Sequence, residues 1–251
     1  MMKLRFFLIL CLMICLVPVM LTAQKKDLTL DDYDQWQRLG GLTVSDDASW
    51  GAYTISLVDG DGWMVLRNMQ NSAEDTFKVS SSPQFSKDAK WFSFRIDYKL
   101  GLMNLATSKI DTFENIITGS FNDDGTVFVM KKYKGEGVKT AGTDLLVKNL
   151  TTGDMYPYGN VSAHSFNETG THLAMTIDAS EKLGNGVHLI NLSDMSLKVL
   201  DIETAKYGNM TWNDDGDGLA VFREVENDDY EGTTHTIVAF LDVTNKNYKK
   251  Y

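Results

Sequence analysis

The chain has 251 residues, of which 43% are hydrophobic, 23% charged and 11% aromatic, a balance that excludes disorder and collagen-like structure. Its formal charge of -10 argues against nucleic acid and anionic membranes as partners, since both attract clustered Lys and Arg. The length suits one large all-β domain or two smaller ones, with enough chain for a core that needs no metal or disulfide.

The first element in chain order is a targeting signal. Lys3 and Arg5 precede an almost unbroken apolar run from Phe6 to Met20, and Leu21-Thr22-Ala23 leads into the polar Gln24-Lys25-Lys26. Residues 1–23 read as a secretory signal peptide cleaved after Ala23; a transmembrane anchor is the competing reading, which the late Pro18 and the small residue at the cleavage position disfavour. Export places the protein in the periplasm or outside the cell, with no membrane attachment after cleavage. Cleavage also removes Cys11 and Cys15, so the mature chain has no disulfide staple. It leaves 22 Lys and Arg against 34 Asp and Glu, a charge of -12.

Residues 24–40 are expected as a helical lead-in. Thr29 and Asp32 make a capping-box-like start within Leu28 to Arg38, and acids crowd the first turn, where the helix dipole favours them. Tyr33 and Trp36, three apart, would share one face.

Residues 41–251 are dominated by a repeat. An apolar residue, Ser or Asn, any residue, Asp or Thr, then Ala or Gly recurs as Val44-Ser45-Asp46-Asp47-Ala48, Phe85-Ser86-Lys87-Asp88-Ala89, Phe121-Asn122-Asp123-Asp124-Gly125, Phe166-Asn167-Glu168-Thr169-Gly170 and Trp212-Asn213-Asp214-Asp215-Gly216. Ser, Asn and Asp bond back to the backbone and Gly accepts positive φ, so each copy predicts a tight turn. Strand-like runs follow at Trp50 to Leu57, Trp91 to Tyr98, Val127 to Lys132, Leu173 to Ile177 and Leu219 to Val225. A second mark, Asn68-Met69, Asn104-Leu105, Asn149-Leu150, Asn191-Leu192 and Asp242-Val243, closes a later strand in each unit. Four strands per repeat of about 40 to 50 residues predict an all-β propeller of four-stranded blades, five of them visible.

The run from Leu28 to Arg38 into Ser45-Asp46-Asp47-Ala48-Ser49-Trp50-Gly51-Ala52-Tyr53 resembles the start of secreted bacterial serine peptidases of the prolyl oligopeptidase family. Asp46 and Lys87 stand where that family has Pro, and Ala48 and Ala89 where it has Gly. The resemblance implies an N-terminal propeller that gates or binds peptide substrate for a C-terminal α/β-hydrolase domain. No G-x-S-x-G nucleophile elbow occurs in this sequence, so that domain and its triad would lie elsewhere in a longer peptidase. No catalytic residue, cofactor or metal is therefore assigned, and His164, His172, His188 and His235 read as structural. The alternative is a free-standing TolB-like periplasmic propeller that binds a protein partner, since such propellers share the blade motif.

Two further features bear on function. Asn213 to Glu224 has the oxygen spacing of an EF-hand loop, but it coincides with the fifth copy of the tight turn. Loops of variable length, at Asp59 to Gly62, Lys134 to Gly142, Glu181 to Gly186 and Glu226 to Gly232, gather opposite the tight turns, where contacts are usually made. Glu224, Glu226, Asp228 and Asp229 are the expected contact group there, facing substrate peptide or the hydrolase domain.

Overall fold

The computed structural model describes residues 27–251 apart from 34, 79, 97, 98, 228, 230, 231 and 246. The expected signal peptide and both cysteines lie outside the described residues. The chain divides into two compact units, Met1–Trp36 and Gln37–Tyr251.

In the first unit, helix α1 (Leu30–Tyr33) is a single turn. The backbone N–H of Thr29 donates to Asp32 Oδ2 at 2.8 Å, which is one half of the expected capping box. The Tyr33 and Trp36 rings touch, with centroids 4.6 Å apart. The helical lead-in is shorter than its sequence suggests. Strand β1 (Gln37–Val44) already begins inside it, because Gln37, Arg38 and Leu39 pair with Leu57, Ser56 and Ile55, and ladder hydrogen bonds outweigh a short helix with a costly nucleus.

The second unit is all-β. The first sheet runs β1-β2-β3-β4, with β2 (Trp50–Leu57), β3 (Trp63–Asn68) and β4 (Glu74–Lys78). The second is β5 (Ser80–Phe85), β6 (Trp91–Ile96), β7 (Lys99–Asn104) and β8 (Lys109–Phe113). The third comprises β9 (Ile116–Phe121), β10 (Val127–Lys132), β11 (Thr143–Asn149) and the start of the long β12 (Met155–Phe166). The remainder of β12 opens the fourth, with β13 (His172–Ile177), β14 (Gly186–Asn191) and β15 (Ser196–Ile202), so these two sheets form one seven-stranded ladder. The fifth is β16 (Lys206–Trp212), β17 (Leu219–Glu226), β18 (Thr233–Leu241) and β19 (Lys249–Lys250). All pairings are antiparallel between sequence neighbours, and the outer strand of each sheet leads straight to the inner strand of the next. This agrees with the expected propeller blades.

At each of the four boundaries between consecutive sheets, the forward face of one packs against the backward face of the next. Met64 and Leu66 of the first sheet meet Phe92 and Phe94 of the second; Leu100 and Leu102 meet Phe128 and Met130; Val127, Val129 and Val147 meet Leu173 and Met175; Ala174, Val187 and Leu189 meet Leu219 and Val221. Among the described residues, no apolar cluster joins the fifth sheet to the first.

The repeated turns lie at one end of the sheets. The side-chain oxygen of Ser45, Ser86, Asn122, Asn167 and Asn213 accepts the N–H five residues on, at 2.8 to 3.0 Å. Ala48 and Ala89 adopt φ of 57° and 53°, the left-handed conformation that Gly125, Gly170 and Gly216 take in the other copies. Two turns also latch onto the next sheet: Asn122 Nδ2 donates to Gly170 O at 3.0 Å and Asn167 Nδ2 to Gly216 O at 2.9 Å. A Cβ on Gly170 would sit 2.7 Å from the Asp123 backbone nitrogen, so contact between turns demands glycine there as well as positive φ.

The inner strand of every sheet is irregular toward the opposite end. Register shifts occur between Leu39 and Leu42, between Ser81 and Gln84, opposite Lys131 and Lys132, between Val161 and Ala163, and between Gly208 and Thr211. Such bulges free carbonyls and bend the strand. Arg95 donates to the carbonyls of Ile116 and Ile117, and Lys131 Nζ to that of Ser162. The two cations occupy the same position in consecutive sheets and satisfy the bulge of the sheet that follows.

Candidate functional site

The end opposite the tight turns carries a cavity of about 520 Å³. Its walls come from the loop after β10, the loop after β13, the first half of β16 and the near ends of β17 and β18.

The loops are held by a buried polar network. The Ala141 N–H donates to Asp178 Oδ2 at 2.6 Å, and the Asp178 N–H to Asn160 O at 2.8 Å. Asn185, fully buried, accepts from the Ala179 N–H at 2.7 Å and donates to Ala205 O at 2.7 Å. Loops from the third and fourth sheets and the connection into the fifth are thereby tied together. Gly142 makes this possible, because a Cβ there would lie 2.4 Å from Asp178 O and 2.5 Å from Asn160 O. Removing Asn185 would orphan the carbonyl of the buried Ala205, and removing Asp178 would release the Ala141 N–H that ties down the loop after β10.

The rim is mixed in charge. Lys134, Lys139, Lys182 and Lys206 line it with Asp178, Glu181 and Glu224, while Phe222, Tyr207 and Ala179 add apolar surface. Of the expected contact group, Glu224 lines the cavity, with Oε2 3.7 Å from His235 Nε2. Glu226 stands beside it, 3.0 Å from Lys182 Nζ; this hydrogen bond and the lysine charge lower the Glu226 pKa. Asp229 is exposed and its N–H donates to Asn227 Oδ1 at 3.0 Å, away from the lining residues. Asp228 lies outside the described residues. The lysines were missed in the sequence, although Lys134, Lys139 and Lys182 sit in the loops it marks as variable.

Other titratable clusters are structural in geometry. Asp201 is buried between the fourth and fifth sheets and takes Tyr207 Oη at 2.9 Å, Arg223 Nη1 at 3.5 Å and Lys250 Nζ. Burial, then the bond to Asp201, pushes the Tyr207 hydroxyl pKa upward. His164 on β12 is kept neutral, its pKa lowered to about 4 by burial and by Lys131. The EF-hand-like stretch is a turn: Asn213 Oδ1 accepts the N–H groups of Asp217 and Gly218, and Glu224 is carried off along β17. Among the described residues, no three His, Cys, Asp or Glu side chains cluster as metal ligands, and no helix is long and apolar enough to cross a membrane.

No protein-family profile matches this sequence, and no curated protein matches it. Among solved structures it is similar to the Pyrococcus horikoshii acylaminoacyl peptidase, at 13% identity and a TM-score of 0.45, over 82% of this chain and 38% of that one. It is also similar to the β-propeller domain of the Trilobed protease from Pyrococcus furiosus, at 11% identity and a TM-score of 0.48, over 87% of this chain and 72% of that one. An oligogalacturonate lyase in complex with manganese aligns at 13% identity and a TM-score of 0.43, over 85% of this chain and 66% of that one. The chain thus spans well under half the length of the acylaminoacyl peptidase.

Proposed function

We propose that this chain is the non-catalytic propeller of an exported serine peptidase of the prolyl oligopeptidase family, working in the periplasm or outside the cell. It receives peptide at the loop end of its sheets and admits it to an α/β-hydrolase domain elsewhere in the protein. The carrying observation is the loop-end cavity, walled by the variable loops of the third and fourth sheets and braced by Asp178 and Asn185. Its volume suits a few residues of extended peptide, and its mix of lysines, acids and Phe222 offers partners to both charged ends and to side chains. The blade motifs and the opening stretch from Leu28 to Tyr53 support the family. A rigid array with variable loops on one end separates scaffold from recognition, as binding proteins generally do.

Fluorescently labelled short peptides titrated onto the full chain test this reading. Saturable binding is expected, weakened at least tenfold when residues 134–140 are replaced by a Gly-Ser linker. No binding at millimolar peptide sinks the proposal, and peptide hydrolysis by the purified chain overturns the division of labour.

A further inference from the structure

A second cavity, of about 460 Å³, lies between the second and third sheets, walled by β5, β6, β7 and β9. One residue makes room for it. Three positions before the repeated Ser or Asn, β9 has Gly119 where β12 has His164 and β16 has Met210. His164 sits beside Lys131 and feels its charge, so the equivalent space at the next boundary is filled. At Gly119 a Cβ would lie 2.6 Å from Phe128 Cζ and 2.9 Å from Leu100 Cδ2, so this wall stays without a side chain.

The lining is polar and carries a single charge. Ser93 and Arg95, two apart on β6, point to the same side of the sheet. Ser93 is 3% exposed, and the other four sheets have Ala52, Val129, Ala174 and Ala220 at its register. A hydroxyl so placed calls for a partner; that of Ser93 opens on the cavity and has none among the described residues. The side chains of Ser82, Gln84 and Thr118 line the same space and likewise make no hydrogen bond to the described residues. A guanidinium has five N–H donors. Arg95 gives one to the carbonyl of Ile116 and one to that of Ile117, which fixes its plane and leaves three uncommitted. No acid lines the cavity among the described residues, although the chain carries a net charge of -10.

We propose that this cavity is a carboxylate subsite, in which Arg95 and the hydroxyls of Ser82, Ser93 and Thr118 hold a carboxylate of a short peptide, its C-terminus or an acidic side chain. The donor set selects the charge: a guanidinium and three hydroxyls can all donate, and no carboxylate competes with the ligand. The fork of a pre-oriented guanidinium matches the two oxygens of a planar carboxylate. The space is larger than a carboxylate, and Pro83, Leu100 and Ile117 give its remainder an apolar wall, which suits the carbon chain behind the charged group. None of its lining residues belongs to the loop-end cavity, so this site stands apart from the peptide reading of that cavity.

Titration calorimetry on the full chain with three N-acetylated probes tests it: acetyl-Ala-Ala with a free C-terminus, acetyl-Ala-Glu amide and acetyl-Ala-Ala amide. At least one of the two acids should bind saturably, about tenfold or more tighter than the uncharged amide, as charge-assisted hydrogen bonds allow. The tighter acid names the source of the carboxylate. Arg95→Gln should bring the acid down to the level of the amide. Because Arg95 also ties down the bulge of β9, Ser93→Ala is the independent variant. Three sheets already carry Ala at this register, so its melting temperature should stay within about 2 °C of the parent while acid affinity falls about threefold or more. Replacing residues 134–140 by a Gly-Ser linker alters the loop-end cavity and should leave acid binding intact. Acids bound no better than the amide, or an affinity unmoved by Ser93→Ala, overturn the proposal. Loss of acid binding in the linker chain also overturns it and hands the carboxylate to the loop-end lysines. Inorganic phosphate bound as tightly as the better acid equally refutes a carboxylate subsite. Peptide binding at the loop end can survive the failure of this site, and the linker chain tells the two apart.

Discussion

The two ends of the sheet array are built from the same strands and obey different rules. At the turn end, Ser or Asn at positions 45, 86, 122, 167 and 213 performs one job five times, and consecutive turns touch closely enough to exclude a Cβ from Gly170. At the loop end, the connections differ in length and composition, and beside the Arg95 and Lys131 bridges to neighbouring bulges cohesion comes from an irregular network around Asp178 and Asn185. The difference teaches where constraint comes from. Repetition is enforced where neighbouring units contact each other through short turns, and relaxed where longer loops can find individual partners. Variation is confined to the end that packing leaves free.

The strongest way to break this comparison is at the turn end. Asn122 is buried, accepts the N–H groups of Thr126 and Val127 at 2.9 Å, and donates across the sheet boundary to Gly170 O. Asn122→Ala leaves two donors and one acceptor without their partner, and is expected to cost about 2 to 4 kcal/mol by urea unfolding. A loss below about 1 kcal/mol would show that the repeated side chain is dispensable and that the turn end is no more constrained than the loops.

That asymmetry also explains what could be read from the sequence. Strands Trp50–Leu57 and Val127–Lys132 match the expected runs to the residue, and the marks at Asn68, Asn104, Asn149 and Asn191 do end strands. These signals are local, because the side chain bonds to its own turn. The inner-strand bulges left no such trace: Ser82, Asn160 and Asn209 take φ of 55°, 56° and 48° without a glycine to announce it. Nor did the cavity, since Asp178 meets Ala141 across 37 residues and Asn185 meets Ala205 across 20. Glu224 and Glu226 are close neighbours in the sequence, whereas the lysines beside them become a group only when the loops after β10 and β13 converge on β16.

A second effect, of similar or smaller size, probes the interior between the two ends. His164 has a folded pKa of about 4, against 6.5 for an ordinary histidine. The unfolded chain therefore binds a proton between those values that the folded chain refuses. Stability is full above about pH 6.5 and declines as pH falls through 4, by an amount on the order of 3 kcal/mol. His172 and His188, also shifted down by burial, push in the same direction. Unfolding free energies measured at pH 7.5 and pH 4.5 should differ less for His164→Gln than for the parent. An identical pH dependence in the two proteins would remove His164 from the account.

The smallest effect is expected at the loop end. Lys182 and Glu226 form a 3.0 Å ion pair, but the Glu226 side chain is 77% exposed, so water and salt screen the attraction and holding two long side chains costs entropy. Lys182→Ala should leave the urea unfolding midpoint essentially unchanged, with any small difference vanishing at high salt. The same substitution removes one of the four lysines at the cavity rim, so a change in peptide affinity with stability untouched is the pattern that separates recognition from scaffold. If instead Lys182→Ala destabilised the chain as much as Asn122→Ala, the loop end would be bearing packing load like the turn end. The physical reason for placing recognition there would then be gone.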